Sequence, residues 1–383
     1  MSVMDVPRSK LQHAFDVRDF MRRSWQREPL LVRGAFPGFV DPLSVNEVLA
    51  LARSPDAQSR LVRRRGSRWS LEHGPFSSAK LKQLPRRDWT VLVQDTNHFS
   101  DRADRLLSQF DFIPHARIDD VMVSYAVPGG TVGPHVDSYD VFLLQGHGRR
   151  RWQVSRQADH AFVPGLPLKI LRRFKAEEEW VLEPGDMLYL PPNVSHYGVA
   201  DSECLTWSIG FRAPTNAEFA RAFLDFLHDR IAIPGEYRDP GAQPVTHPGE
   251  LPPRLTRHAR EKLAAIRWSA ADVKEFAGRF FSEPKRHVFF ERPSHPLALA
   301  RFTAQGARRG IVLDRRSRLL FSGSMFFMNG EAIQVDRATQ RRLHSLADNR
   351  RLASPVEAPR AFWQCVHGWY AEGFLHLAKE EGR

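Results

Sequence analysis

The sequence predicts an α+β protein: an all-β sandwich or barrel in the middle of the chain, then helices and a small winged-helix-like module. Between residues 111 and 214, short apolar alternating runs are separated by Gly and Pro, which is typical of antiparallel strands. From residue 216 the apolar residues recur at i, i+3 and i+4, as they do on amphipathic helices. Further along, Asn329-Gly330 predicts a hairpin between helical patterns.

The same patterns divide the chain into four predicted regions. The lead-in region has a helical pattern at 43–53, capped by Ser44, and a strand-like run at 89–99. It packs, we expect, on the β core rather than folding separately. The four regions are a mixed α/β lead-in (1–110), a β core (111–215), a helical region with two amphipathic helices (216–285) and a winged-helix-like domain (286–383).

The net charge and the cysteine content of the chain limit which partners and which metal sites are plausible. The 383 residues carry a formal net charge of +12, which suggests an acidic partner such as RNA. Because the arginines are spread in short groups, a plain solvated basic surface remains the alternative. Only two cysteines occur, Cys204 and Cys365, outside any CxxC motif, which excludes a disulfide framework and a thiolate zinc site.

No stretch approaches the roughly 20 apolar residues that a membrane helix needs, and the N-terminus has no apolar run after its basic residues. We therefore expect a cytoplasmic protein that does not contact a membrane.

The segment GPHVDSYDVFLLQGHGRRRW, residues 133–152, carries unusual charge for a core strand. Residues two apart on a strand point to the same side, so His135 and Asp137 can reach one metal ion. His196, in EPGDMLYLPPNVSHYG, is the candidate third ligand from another strand. His-x-Asp with a distant His matches the 2-His-1-carboxylate triad that binds Fe(II) and leaves positions open for a cosubstrate and O2.

Chance offers a plain alternative to this metal site. In a chain with 16 histidines, on the order of one His-x-Asp arises at random, and a buried histidine is more often hydrogen-bonded structure than a ligand. The context favours the metal site, since a Gly-Pro turn precedes His135 and a strand followed by Pro-Pro precedes His196.

Arg150 is a candidate for binding an anion. If Gly146-His147 form a two-residue hairpin turn, Leu143 faces Arg150, which then points inward on the same side as Asp137. A buried arginine is costly unless an anion meets it, and a guanidinium binds a carboxylate with two hydrogen bonds. That anion could be the distal carboxylate of 2-oxoglutarate. Alternatively, Arg150 pairs internally with Asp140 or Asp186, or a longer turn sends it to solvent.

Two further side chains are weaker candidates. The hydroxyl of Ser124 could contact the cosubstrate carboxylate, although strand serines are usually half-exposed structure. Tyr139 follows the ligand pair on the same face and could line the substrate entrance, although a core role is common for tyrosine.

With these motifs in view, the chain resembles the JmjC-type 2-oxoglutarate oxygenases, and within them the bacterial ribosomal-oxygenase group that hydroxylates an arginine of ribosomal protein uL16. The segment at 117–152 is specific, and the others corroborate it. The segments that carry the resemblance are SWQREPLLVRGAF (24–36), SRLV (59–62), HGPF (73–76), RIDDVMVSYAVPGGTVGPHVDSYDVFLLQGHGRRRW (117–152), EPGDMLYLPPNVSHYG (183–198) and SIGFRAP (208–214).

The resemblance implies a double-stranded β-helix of the cupin/JmjC type, a helical dimerisation region and a C-terminal winged helix. It implies Fe(II) ligands at His135, Asp137 and His196, 2-oxoglutarate at Arg150, O2 as cosubstrate, a homodimer and a uL16-like substrate. The chain departs from the group at Ala126, where a small polar residue is expected, and at Tyr197, where an acidic residue is commoner.

A substrate arginine on a basic ribosomal protein is repelled by a +12 chain unless a local acidic or aromatic pocket attracts it. Asp119, Asp120 and Tyr139 are the candidates for such a pocket. The open alternatives are hydroxylation of a histidine on another ribosomal protein, and a ligand-sensing cupin joined to a winged helix that binds DNA as a regulator. Whether the basic surface or the winged helix touches nucleic acid also stays open at this point.

Overall fold

The computed structural model of the protein describes residues 15–379, which divide after Ala213 into two compact units. The helices of the first unit are α1 (Val17–Arg23), α2 (Val45–Leu51), α3 (Ser78–Lys82), α4 (Thr96–Phe99) and α5 (Asp101–Leu107). Its strands are β1 (Leu30–Val32), β2 (Ser59–Arg65), β3 (Arg68–His73), β4 (Trp89–Val93), β5 (Ile118–Ala126), β6 (His135–Val136), β7 (Asp140–Gln145), β8 (Arg150–Ser155), β9 (Glu178–Leu182), β10 (Met187–Leu190), β11 (Ser195–Ala200) and β12 (Cys204–Phe211).

The strands of the first unit form two antiparallel sheets. The larger sheet has the order β1-β10-β7-β12-β5-β4-β2-β3, and the smaller has the order β6-β11-β8-β9. The four strands of the lead-in region therefore belong to the same sheet as half of the predicted core.

Strand β7 shows how the two sheets pack. Its alternate residues Phe142 and Leu144 belong to the main apolar core on one side of the large sheet, whereas Val141 and Leu143 pack with Trp152 and other side chains of the small sheet. All six residues of β7 are buried. A strand covered on both faces is mostly apolar, which is why the central residues VFLL lack the polar alternation of an exposed strand, and the polar residues at its two ends, Asp140 and Gln145, are buried as well.

The predicted hairpin between β7 and β8 is wrong. β7 pairs with β10 and β12 in the large sheet, whereas β8 pairs with β11 and β9 in the small one. Residues 146–149 carry the chain between the sheets, and the tight fit of Gly146 against Asp41 leaves no space for a side chain there. Arg150 nevertheless points into the space between the sheets, because alternation along β8 alone sets its side.

The lead-in region contains the helix predicted at 43–53, as α2 with a capping box between Ser44 and Glu47. The strand predicted at 89–99 stops at Val93 and continues as α4. The reason lies in two buried polar residues: Thr96 Oγ1 donates to Val121 O at 2.7 Å, and Asn97 Oδ1 accepts from Val121 N at 3.0 Å. These bonds hold a helical turn against the edge of β5.

The second unit contains helices first and then a mixed α/β module. Its helices are α6 (Asn216–His228), α7 (Pro253–Leu263), α8 (Ala270–Ser282), α9 (Leu299–Arg309), α10 (Arg337–Asn349) and α11 (Arg360–Ala371). Its strands are β13 (Gly310–Leu313), β14 (Leu319–Ser322), β15 (Met325–Met328), β16 (Glu331–Gln334), β17 (Arg351–Ala353) and β18 (Leu375–Leu377).

Two sequence expectations meet the structure here. Asn329 and Gly330 both have positive φ, at 51° and 91°, and form the predicted turn between β15 and β16. The sequence pattern indicated two helices between 216 and 280, and the structure adds α7, a strongly charged helix that begins at proline and buries no residue. No helix within residues 15–379 is long and apolar enough to cross a bilayer. The region boundaries at 110, 215 and 285 stay predictions.

Candidate metal and cosubstrate site

His135, Asp137 and His196 meet at one end of the small sheet. His135 and His196 are paired residues of the adjacent strands β6 and β11, and their rings lie 4.2 Å apart. Asp137 Oδ2 is 3.9 Å from His135 Nε2 and 3.7 Å from His196 Nε2. Ligands of one metal ion sit about 2 Å from it and so at most about 4 Å from each other. The two imidazole–carboxylate separations therefore suit a single ion.

Backbone carbonyls orient both imidazoles in the same way. His135 Nδ1 donates to Gly133 O at 2.9 Å, and His196 Nδ1 donates to Val194 O at 3.0 Å. In each case the acceptor lies two residues upstream, so a proton on Nδ1 leaves the Nε2 lone pair facing Asp137. Gly133 has φ +83° and packs against Trp69 and Ile170, so this turn requires glycine.

His196 is almost completely buried, and burial lowers its pKa to about 4. It is therefore neutral at physiological pH, the form in which imidazole binds a metal. Two imidazoles and one carboxylate on one side of an ion fit ferrous iron with open positions. The donor set thus agrees with the Fe(II) expected from the sequence.

Arg150 is 6 % exposed. Its Nη1 donates to Ser124 Oγ at 3.1 Å, while Nε and Nη2 are buried and have neither an ion-pair nor a hydrogen-bond partner among residues 15–379. Two adjacent unsatisfied guanidinium donors match the two oxygens of a carboxylate. A buried charge left unpaired costs stability, so this geometry indicates a bound anion.

The internal ion pairs considered for Arg150 do not form. Asp140 is fully buried and accepts from Arg117 Nη2 at 2.9 Å and from Tyr189 OH at 2.6 Å. Asp186 pairs with Arg33 at 2.6 Å. Both carboxylates therefore pair with other arginines, and within residues 15–379 no acidic side chain neutralises Arg150.

Trp152 and Gly198 are site residues that the sequence reading missed. The Trp152 ring lies between the other groups, 5.8 Å from the Arg150 guanidinium and 5.9 Å from the His196 ring. A Cβ added at Gly198 would come within 2.6 Å of the Trp152 ring, so only glycine lets the indole lie across β11. The feature that would have identified them is a glycine directly opposite a tryptophan on the neighbouring strand. It can be recognised only when the register of β8 with β11 is known.

The predicted substrate-pocket residues also come together. Asp119, Asp120 and Tyr139 all lie against Gly210, where an added Cβ would be 3.5 Å from Asp120 Oδ1 and 3.9 Å from Tyr139 Cε2. Tyr139 is 40 % exposed, and Asp120 is buried and accepts from Asp95 N at 3.1 Å. The two carboxylates are on β5, and the exposed ring of Tyr139 follows the metal ligand Asp137 by two residues.

Comparison with known proteins agrees with this geometry. Residues 105–219 match the JmjC domain family, and residues 265–376 match the ROXA-like winged helix. The chain is 35 % identical over 339 residues to the ribosomal protein uL16 3-hydroxylase of Escherichia coli, an alignment that covers 88 % of this chain and 90 % of the relative.

Solved structures give the same answer. The X-ray structure of Escherichia coli YcfD superposes with a TM-score of 0.82 at 32 % identity, covering 94 % of this chain and 98 % of that one. The structure of the ribosomal oxygenase YcfD in complex with cobalt and 2-oxoglutarate gives a TM-score of 0.80 at 33 % identity and the same coverage. This chain therefore belongs to the ribosomal-oxygenase group of the JmjC family, 2-oxoglutarate-dependent oxygenases that use Fe(II) and O2.

Proposed function

We propose that this protein hydroxylates an arginine side chain of large-subunit ribosomal protein uL16. One observation carries the proposal: a His-Asp-His cluster lies beside a buried guanidinium that has two unsatisfied donors. The relative named for uL16 3-hydroxylation aligns over 88 % of the chain. A regulator that only senses a ligand would not need the oxygenase ligand set.

His135, Asp137 and His196 would hold the iron. When bound, Fe(II) and 2-oxoglutarate would let O2 act as the oxidant: decarboxylation of the keto acid releases CO2 and puts one oxygen atom into succinate, and the other oxygen atom enters a C–H bond of the substrate. The task of the protein is to hold three ligands on one side of the metal and leave the other side open. Gly133 O and Val194 O fix the two imidazoles for this task.

Arg150, held in place by Ser124, would bind the distal carboxylate of 2-oxoglutarate. The free Nε and Nη2 atoms of Arg150 offer a bidentate contact, and the Ser124 hydroxyl holds Nη1 at 3.1 Å so that the guanidinium keeps its orientation. The anion would also remove the cost of the unpaired buried charge. Cosubstrate binding is therefore expected to stabilise the fold as well as supply the reaction.

Asp119, Asp120 and Tyr139 would receive the substrate side chain. A substrate guanidinium entering beside the two carboxylates gains charge-assisted hydrogen bonds, and the exposed Tyr139 ring offers a flat face for stacking. This local acidic site would overcome the repulsion between a basic substrate and a chain of net charge +12. It also favours a cationic side chain over a neutral histidine.

The experiment is mass spectrometry of uL16 after incubation with the protein, Fe(II), 2-oxoglutarate and O2. We expect a gain of one oxygen atom, about 16 Da, on one arginine, with succinate formed in step. Asp137→Asn should lower turnover by about 100-fold or more, since it removes the only anionic metal ligand. Asp201→Asn, on the outer face, is the matched control. Oxygen found on a histidine instead would support the histidyl hydroxylase alternative and contradict our assignment.

The protein is, we further propose, a homodimer joined through its helical region at 216–285. Large apolar side chains stand exposed there, with Leu224 at 65 % and Trp268 at 56 %. Exposed apolar clusters of this kind are typical of subunit interfaces. Light scattering should give twice the monomer mass, and Leu224→Asp should shift the measured mass towards that of the monomer.

A ribosomal substrate would place the reaction in the cytoplasm.

A further inference from the structure

A cavity of about 550 Å³ opens on the outside of the small sheet, and we call it the outer pocket. It is bordered by the turn between β2 and β3 on one side and by the segment 163–174 on the other. Its volume is in the range of small-ligand sites. The side chains that define it are Arg64, Trp69, Gln153, Ile170, Phe174 and Tyr197.

The outer pocket lies on the other face of the small sheet from the metal ligands. Tyr197 pairs with Gln153 across β11 and β8, and both line the pocket. Their neighbours His196, a metal ligand, and Trp152 point to the opposite side of the same strands. The two sites meet only at Pro134, which borders the pocket and precedes His135. Tyr197, a residue that departs from the group pattern, belongs to the outer pocket.

Flat side chains line the outer pocket. Phe174 and Tyr197 meet edge to face with ring centroids 6.1 Å apart. The Arg64 guanidinium lies 5.5 Å from the Trp69 ring centroid, and its Nη1 donates to Tyr197 OH at 3.1 Å. Aromatic rings with a guanidinium are the groups on which unpaired nucleobases stack.

Basic side chains surround the pocket on both borders. Arg65 and Arg68 are exposed at the β2–β3 turn, and Arg172 and Arg173 are exposed beside Phe174. Within residues 15–379 none of these four makes an ion pair. Glu179, which binds the pocket residue Gln153, pairs with Arg151 at 2.7 Å, and Arg151 also pairs with Asp201. The surroundings of the pocket are therefore strongly cationic.

We propose that the outer pocket binds single-stranded RNA. Bases would stack on Phe174, Tyr197 and Trp69, while the arginines at the two borders would contact successive phosphates. An acidic peptide would satisfy the charges but would leave the aromatic faces without stacking partners. An RNA partner also gives the net charge of +12 a function that the cationic substrate does not. RNA binding is independent of turnover, so it stands or falls separately from the proposed hydroxylation.

The experiment measures fluorescence anisotropy of a labelled oligouridine of about ten nucleotides with the full-length protein over a range of salt concentrations. We expect saturable binding. Phe174→Leu should weaken it about five-fold or more, because one stacking face is lost. Arg65→Gln with Arg68→Gln should lower the slope of log affinity against log salt by about 1.4, the value for two phosphate contacts on a single strand.

The control is Arg337→Gln with Arg341→Gln on the winged-helix helix α10, which makes the same change in charge at exposed arginines of the other unit. It should leave affinity within about two-fold, and all variants should keep the melting temperature of the parent. Absence of saturable binding, or a larger loss in the α10 variant than in the Arg65/Arg68 variant, would overturn the proposal. So would polyglutamate that competes as well as RNA, since it would assign the pocket to an acidic protein.

Discussion

Arg150 and Arg151 are consecutive residues of β8, yet they have opposite environments. Arg150 is buried between the two sheets with two guanidinium nitrogens unsatisfied. Arg151 lies on the outer face and pairs with Glu179 at 2.7 Å and with Asp201 at 3.1 Å. The exposed arginine is satisfied by the protein and the buried one is not. A charge that the fold buries without a partner indicates that a ligand supplies the partner.

The contrast extends to the two faces of the small sheet. The inner face carries His196, Trp152 and Arg150, to which we assign the iron and the keto acid. The outer face carries Tyr197, Gln153 and Arg151, of which the first two line the outer pocket. Alternation along two strands thus places the proposed enzymatic groups and the proposed RNA-binding groups on opposite faces.

The strongest test of the comparison replaces each arginine by methionine. Arg150→Met should weaken binding of 2-oxoglutarate by about 10- to 100-fold, since it removes charged hydrogen bonds worth about 1.5–3 kcal/mol. Arg151→Met should change it by less than about three-fold, because exposed ion pairs contribute about 0–1 kcal/mol. Calorimetric titration of the metal-loaded protein measures both. Equal losses in the two variants would contradict the proposed role of Arg150.

For stability, the same two variants should behave in the opposite way from their effect on 2-oxoglutarate binding. Without 2-oxoglutarate, Arg150→Met should leave the free energy of unfolding unchanged or raise it, since the variant removes an unpaired buried charge. With 2-oxoglutarate in excess, the parent should gain stability and the variant should not. Urea unfolding with and without the keto acid decides this. A variant that is less stable in both conditions would show that Arg150 is mainly structural.

Gly198→Ala tests the support of the inner face. The new methyl group would meet the Trp152 ring at 2.6 Å, so the indole must move away from its place between Arg150 and His196. We expect a loss of about 1–3 kcal/mol in the free energy of unfolding and a loss of activity. Gly368→Ala is the control, since this helical glycine has no heavy atom near its added Cβ and should gain about 0.5–1 kcal/mol. A fully active Gly198→Ala variant would remove Trp152 from the site.

The sequence predicted those features of the fold and the site that depend on residues close together in the chain. His135 and Asp137 are two residues apart, so the alternation expected of an extended chain sufficed to bring them together, although β6 itself ends at Val136. The turn or Pro-Pro context before each histidine identified His196. The α+β fold with a winged helix was likewise predicted and is confirmed. The individual roles of the site residues stay predictions until they are measured.

What could not be predicted required knowledge of which strands pair. A hairpin between β7 and β8 is the default for two strands joined by four residues, and only the packing of Val141 and Leu143 against the small sheet excludes it. The same is true of Gly198 opposite Trp152 and of the outer pocket, which joins residues from five parts of the chain. The buried bonds of Asp140 to Arg117 and Tyr189 were also beyond a one-dimensional pattern.

Ser124→Ala gives the smallest expected effect and defines how Arg150 is held. The hydroxyl accepts the only hydrogen bond that the Arg150 side chain makes among the described residues, at 3.1 Å from Nη1. Its loss should weaken 2-oxoglutarate binding by about two- to ten-fold, the equivalent of one hydrogen bond of about 0.5–1.5 kcal/mol, with turnover at saturating keto acid unchanged. Combined with Arg150→Met, the serine change should add nothing, because Ser124 acts through the guanidinium. Additive losses in the double variant would instead show that Ser124 contacts the cosubstrate directly.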